Sequence, residues 1–326
     1  MTVNIAVLGL HQVGASIGLA LGKYKEKIHL VGFDEDVRVG DRAAQLKVFS
    51  RVERDMAAAV REAKLVILAV PADIVHEYLQ LLSPLLPEGA QIIDTSLLHQ
   101  GMDEDAAKLL GADHPFISAT PILNPVYLDV APGTDAEPHE DLFEKGALLI
   151  CSGVKTAPEM IKVAADLAEL LGTHAYFTDP FEADAILAEV ELLPRLAAAA
   201  LVNTAATNPG WNDSRRVAGT AFHRPTAALL DMTELEEYGK AALQARENTL
   251  RALDRFSAKI AEIRVAVEKN DAAELKALLG AAITSRSDWL NYKLAQDWNS
   301  PNGKPEELER DAPGRLLWQG FKRKGK

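Results

Sequence analysis

The sequence predicts an α/β fold, a doubly wound parallel sheet followed by an all-helical region, and three observations predict it. Short runs rich in Val, Ile and Leu alternate with stretches of helical spacing through the first half of the chain. A glycine-containing turn joins the first run to the first helical stretch. After Asp179-Pro180 the strand signal stops, and alanine- and leucine-rich helical segments take over.

The apolar runs lie at residues 3–8, 28–33, 65–70, 91–95, 116–119 and 147–151. They are short and almost wholly apolar, the pattern of strands covered on both faces. Between them, residues 14–24, 35–47, 72–82, 101–110 and 158–171 have helical spacing. Such alternation calls for right-handed crossovers, which stack helices on both faces of a parallel sheet. Residues 121–145 break the rhythm. Pro121, Pro125, Pro132, Gly133 and Pro138 punctuate them, and Glu137, Glu140 and Asp141 charge them, the mark of a lid, a binding loop or an insertion.

Residues 181–207 read as a helix interrupted by Pro194, residues 234–269 as one long helix, and residues 271–298 as another. On the long helix Leu250, Leu253, Phe256, Ile260, Ile263 and Val267 step by three and four, a stripe that needs a partner surface. Packing within the chain covers it, with part left over for a homodimer contact. The last residues carry scattered Pro and Gly and end Lys322-Arg323-Lys324-Gly325-Lys326, a solvated basic tail.

Of 326 residues, 48% are hydrophobic and 25% charged, the composition of a globular protein with a sizeable core. The net charge of −12 argues against a nucleic-acid partner but leaves room for a small anionic substrate in a locally positive pocket. The single cysteine, Cys151, sits in an apolar run and is expected in the core, not as a nucleophile. No segment approaches the ~18 uninterrupted apolar residues of a membrane span, and the N-terminus lacks a signal-peptide pattern. The expected compartment is the cytoplasm, without a membrane partner. The eight histidines show no pair at metal-ligand spacing on one predicted helix, so no metal site is expected.

The sharpest motif is the run from Val7 to Gly18, which follows the first strand and opens the first helix. The Gly-x-Gly-x-x-Gly fingerprint of a Rossmann-type sheet belongs there. Gly9 supplies the tight turn and Gly14 the close packing of helix on strand. The amides of Gln12 and Val13 at the helix start favour a pyrophosphate. His11 replaces the middle glycine: it either touches a phosphate as a cation or turns to solvent. Asp34 ends the second strand about twenty residues on, where a carboxylate accepts from ribose hydroxyls and repels a 2′-phosphate. NAD is therefore favoured, and nearby Arg38 and Arg42 leave NADP as the alternative. Val70 and Pro71, at the end of the run 65–70, and Ser96 complete the expected cofactor wall.

These residues carry a resemblance to the prephenate and arogenate dehydrogenase family: the opening from Gly9 to Leu21, Asp34, residues 65–71, Asp94-Thr95-Ser96 and residues 117–121. Leu193-Pro194 within residues 189–201 and the turn at residues 222–226 extend it. The resemblance implies a Rossmann domain (residues 1–178), a helical substrate and dimerisation domain (179–298) and an extension (299–326). It also implies oxidative decarboxylation of prephenate or arogenate with NAD or NADP, in tyrosine biosynthesis. The family's catalytic histidine stands in a His-Pro pair that reads Thr120-Pro121 here. Threonine can hydrogen-bond a hydroxyl but is no base near neutral pH. His114, in His114-Pro115, and His99 are the histidines available nearby in sequence.

Around Leu-Pro the family carries histidines; here those positions read Leu192 and Arg195. Arg195 is either aimed into the interdomain cleft by Pro194 or paired with Glu191 one helical turn away. The family's substrate arginine falls near Ala227, so Arg224 and His223 are candidate substitutes, with Arg215 and Arg216 behind them. Two other readings stand beside this one: a Rossmann dehydrogenase or reductase of another small carboxylate or imine, and a nucleotide-binding protein without turnover.

Overall fold

The computed structural model describes residues 2–111, 113–128, 137–230 and 235–295. Eight strands form one sheet: β1 (Val3–Leu8), β2 (Ile28–Phe33), β3 (Arg51–Glu53), β4 (Leu65–Leu68), β5 (Gln91–Asp94), β6 (Phe116–Ile122), β7 (Ala147–Cys151) and β8 (His174–Thr178). Their order is β3-β2-β1-β4-β5-β6-β7-β8. The helices α1 (Gln12–Gly22), α2 (Val37–Gln45), α3 (Met56–Val60), α4 (Val75–Leu82), α5 (Met102–Leu110) and α6 (Pro158–Leu170) cover its two faces.

The period-two rule of a strand sorts the core. In β1, Val3, Ile5 and Val7 point into a cluster with Ile17 and Leu21 of α1, Val39 of α2 and Met160 of α6. Ala6 and Leu8 point the other way, onto Val60 of α3, Tyr78 and Leu79 of α4, and Met102 of α5. Each fully buried Leu or Ile contributes roughly 1.5–3 kcal/mol, so the doubly covered sheet is the rigid base of everything above it.

All pairings are parallel but one. β7 runs antiparallel to β6, with Thr120 opposite Leu149 and Ser118 opposite Cys151. The expectation of a wholly parallel sheet fails there: among the described residues between β6 and β7 the helical element is the three-residue turn Pro125–Tyr127, too short for the crossover a parallel pair needs. Short β3 and half-exposed β8 give too little apolar signal to read from sequence. The turn after β6 starts later than expected, since Thr120, Pro121 and Ile122 still belong to the strand. Within the predicted loop, a short helical turn (Pro125–Tyr127) precedes residues 129–136, which lie outside the described set.

Beyond Thr178 every described element is helical: α7 (Pro180–Leu187), α8 (Leu193–Ala206), α9 (Trp211–Val217), α10 (Thr220–Thr226), α11 (Leu235–Gln244), α12 (Arg246–Glu268) and α13 (Ala272–Ala295). The interruption expected at Pro194 is a π-helical turn over Ala188–Leu192, in which the Leu193 N–H donates five residues back to Ala188. Proline lacks the N–H that would continue the ordinary ladder, and the wider turn absorbs the loss. The single long helix expected over residues 234–269 is two, broken at Ala245, whose ψ of 35° leaves the helical region. Among the described residues no helix is long and apolar enough to cross a membrane. The basic tail lies outside the described residues.

Candidate active site

The first half of the site is the turn between β1 and α1. Gly9 has φ +87°, and a Cβ there would strike the carbonyl of Ala69. A Cβ on Gly14 would collide with the carbonyl of Gly9, so Gly9 is required by conformation and contact and Gly14 by contact. The first helical bond runs from Ala15 N–H to the His11 carbonyl at 2.9 Å. The amides of Gln12, Val13 and Gly14 therefore have no partner within the helix, the donor set an anion takes. His11 is exposed and its side chain makes no cap.

Two side chains of this turn hold a strap. Gln12 Nε2 donates to the Glu137 carbonyl at 3.2 Å, and Ser16 Oγ accepts from the His139 amide at 3.0 Å. His139 in turn stacks on Tyr127, whose hydroxyl donates to Asp141 and is pushed up to about 12 by that bond. Residues 137–139 thus lie across the start of α1, with the Gln12 side chain engaged and its backbone amide outside the helical ladder.

Asp34 is buried where β2 ends. Its Oδ2 accepts from the Leu10 amide at 2.7 Å and its Oδ1 from the Asp36 amide at 2.9 Å. The carboxylate fixes the glycine turn and keeps lone pairs for a ribose. Arg38 is drawn onto Asp36 at 2.8 Å, and the guanidinium holds that carboxyl at about 2. Val70 is buried against the turn and Pro71 is half-buried beside it.

The second half of the site is a buried polar chain at the carboxyl ends of β5 and β6. His99, 1% exposed, sits between Asp184 and Thr120, 2% and 3% exposed. Its Nδ1 is 3.1 Å from Asp184 Oδ1 and its Nε2 is 2.9 Å from Thr120 Oγ1. Asp184, on α7, also accepts from the amides of His99 and Gln100 at 3.1 and 3.0 Å. Thr120 donates to the Ser96 carbonyl. Ser96 is tied back to Asp94, whose carboxyl accepts both its amide, at 3.0 Å, and its hydroxyl, at 2.8 Å. Burial pushes Asp94 up to about 6 against those hydrogen bonds. Leu97 and Leu98 flank the chain and pack on Leu187 and Leu192, which docks the helical segment onto the sheet.

The other candidates scatter. His114 hydrogen-bonds the Ala90 carbonyl before β6 begins, at the edge of the sheet opposite the glycine turn, so it does not join the chain. Arg195 is mostly buried. It donates to the Glu191 carbonyl and carboxylate, each at 2.7 Å, and lies 4.7 Å over the Tyr238 ring. Of its two readings, the pairing with Glu191 is present. Lys293 of α13 is electrostatically coupled to Glu191, and burial lowers its affinity for a proton. Arg224, His223, Arg215 and Arg216 are exposed on α9 and α10. The residue that sequence reasoning missed is Asp184, an acid placed at the third position after the helix-opening Asp179-Pro180-Phe181.

Comparison with known proteins places most of the chain. A family model described as the nucleotide-binding domain of prephenate dehydrogenase matches residues 17–177, and one described as its dimerization domain matches residues 179–281. The chain belongs to the prephenate dehydrogenase family. The prephenate dehydrogenase of Bacillus subtilis is 26% identical over 284 residues, covering 83% of this chain and 72% of that one. The cyclohexadienyl dehydrogenase of Zymomonas mobilis is 24% identical over 273 residues, covering 82% and 89%. The fold is shared with a solved prephenate dehydrogenase of A. aeolicus, crystallised with hydroxyphenyl propionate and NAD+, with TM-score 0.76, 20% identity, and coverage of 88% of this chain and 98% of that one.

Proposed function

We propose that the chain is an NAD-dependent dehydrogenase that oxidises and decarboxylates a cyclohexadienyl carboxylate of the prephenate or arogenate type, as a step of tyrosine biosynthesis. The observation that carries this reading is the Gly9–Gly14 turn. Its uncovered helix-start amides stand beside Asp34 in a chain whose two halves match the two domains of one dehydrogenase family. When bound, the nicotinamide would accept a hydride from the ring carbon that bears the hydroxyl. Gly9, Gly14 and the amides of Gln12 and Val13 would hold the diphosphate, with Asp34 on the ribose. Val70, Pro71 and Ser96 would wall the far side. Arg224, exposed on α10, is the cation proposed for a substrate carboxylate.

The protein is proposed to work in the cytoplasm as a homodimer. Support for the dimer comes from the outward stripe on α12, where Leu250, Ile260 and Val267 are 43%, 50% and 60% exposed in a single copy. Purified protein supplied with prephenate or arogenate and either cofactor is expected to raise the absorbance at 340 nm, faster with NAD. No change with any of the four combinations refutes the reading. Thr120 favours one rival, nucleotide binding without turnover, which predicts heat on mixing with NAD but a flat absorbance trace.

A further inference from the structure

The reaction proposed above needs a group that takes the proton of the ring hydroxyl and later gives it back. At the position where the family carries that group, this chain has a hydroxyl, and a hydroxyl alone cannot hold the proton. The imidazole that can hold it is one hydrogen bond deeper. We propose that Asp184, His99 and Thr120 form a proton relay that replaces the strand-borne histidine, with Thr120 meeting the substrate hydroxyl and His99 acting through it as the proton store.

The proton inventory of the chain supports this. The Ser96 carbonyl only accepts, so the single Thr120 hydroxyl proton is committed to it. Thr120 Oγ1 can then only accept from His99 Nε2, 2.9 Å away, while Nδ1 donates to Asp184. With Nε2 donating to Thr120 and Nδ1 to Asp184, this arrangement is the one in which the relay holds the proton. Swinging the threonine hydrogen from Ser96 to an unprotonated Nε2 gives the unloaded state without moving a heavy atom. Asp184 is fixed by two backbone amides from the loop that carries His99, so the imidazole cannot turn away. The whole chain is buried, which keeps water from stealing the proton.

The step balances. The ring hydroxyl gives its proton to Thr120 Oγ1 as the threonine proton passes to Nε2, and the carbon–hydrogen pair leaves for the nicotinamide as hydride. The ring carbon–carboxylate bond then breaks, carbon dioxide departs, and its electron pair enters the ring. The phenolic oxygen so formed recovers the proton through Thr120, with no net proton released. This assignment rests on the dehydrogenase reading. The titratable groups facing His99 are Asp184 of α7, Asp94 of β5 and Asp103 of α5, with Cys151 of β7 next to the same carboxylates.

The test has two arms. In the kinetic arm, H99Q and T120V are expected to lose 10²- to 10⁴-fold in kcat/KM with NAD affinity by calorimetry unchanged. T120S should recover most of what T120V loses. The acidic limb of the wild-type pH profile should vanish in H99Q. In the arm without turnover, ring-¹⁵N histidine spectra of the cofactor-free protein should show both His99 nitrogens in hydrogen bonds, Nδ1 to Asp184 and Nε2 to Thr120. In T120V, Nε2 should shift alone. A wild-type rate and acidic limb in H99Q, or His99 signals indifferent to T120V, overturns the relay. If wild-type protein turns over neither substrate, the functional reading falls, while the spectra still decide whether the chain is built as described.

Discussion

Replacing Asp94 by Asn isolates one buried ionisation and its effect on stability. Asp94 is wholly buried at the end of β5, and burial raises it from 3.8 to about 6 even though Ser96 donates two hydrogen bonds to it. A carboxyl raised in the folded state keeps its proton where the unfolded chain has already released it. Its contribution to stability is therefore full below about pH 4 and lost as the pH climbs through about 6. A shift of about two units corresponds to ~3 kcal/mol in total, roughly half of it falling between pH 5 and pH 7.5.

Asparagine keeps the acceptor for the Ser96 amide and can donate to the Ser96 hydroxyl, so it removes the ionisation and little else. Urea unfolding of wild type and D94N, run in parallel from pH 5 to 7.5, cancels every other titrating group. The variant is expected to gain on the wild type steadily with pH, by ~1.5 kcal/mol over that window. A difference independent of pH, or one that shrinks as pH rises, would refute the claim that Asp94 is held protonated by burial.

G14A would drive a Cβ into the Gly9 carbonyl, and the turn must open to admit it. NAD affinity by calorimetry is expected to fall more than tenfold, with ~1–3 kcal/mol lost from stability in urea. The thiol of Cys151 is raised by burial and by the negative charge of Asp184, Asp103 and Asp179. It should resist iodoacetamide in the folded protein at pH 8 and react at once in denaturant. I260D places a charge on the exposed stripe of α12 and should convert a dimer to a monomer by sedimentation velocity without changing far-ultraviolet circular dichroism.

The strand–helix rhythm was legible because buried parallel strands are apolar on both faces, and Gly9, Gly14 and Asp34 were legible because a phosphate-binding turn needs those residue types at that spacing. Antiparallel β7 and the break at Ala245 were not, since direction and a single backbone angle leave no mark on hydropathy. His114 reads as well as His99 in one dimension; only the sheet's polarity separates them, placing one at the amino edge and the other at the carboxyl edge. Asp184 could be recognised only in three dimensions, because its partners lie more than eighty residues earlier. Arg195 illustrates the reverse case. The i,i+4 rule anticipated its bond to Glu191, while the ring of Tyr238 beneath it comes from a helix far along the chain.

The central claim is that the turn after β1 offers its amides to a dinucleotide despite His11. Calorimetric titration of the purified chain with NAD and with NADP tests it most directly. Saturable heat with both, tighter for NAD because of Asp34, is the predicted result. Neither heat nor a rise in the thermal midpoint with either dinucleotide at millimolar concentration would contradict it.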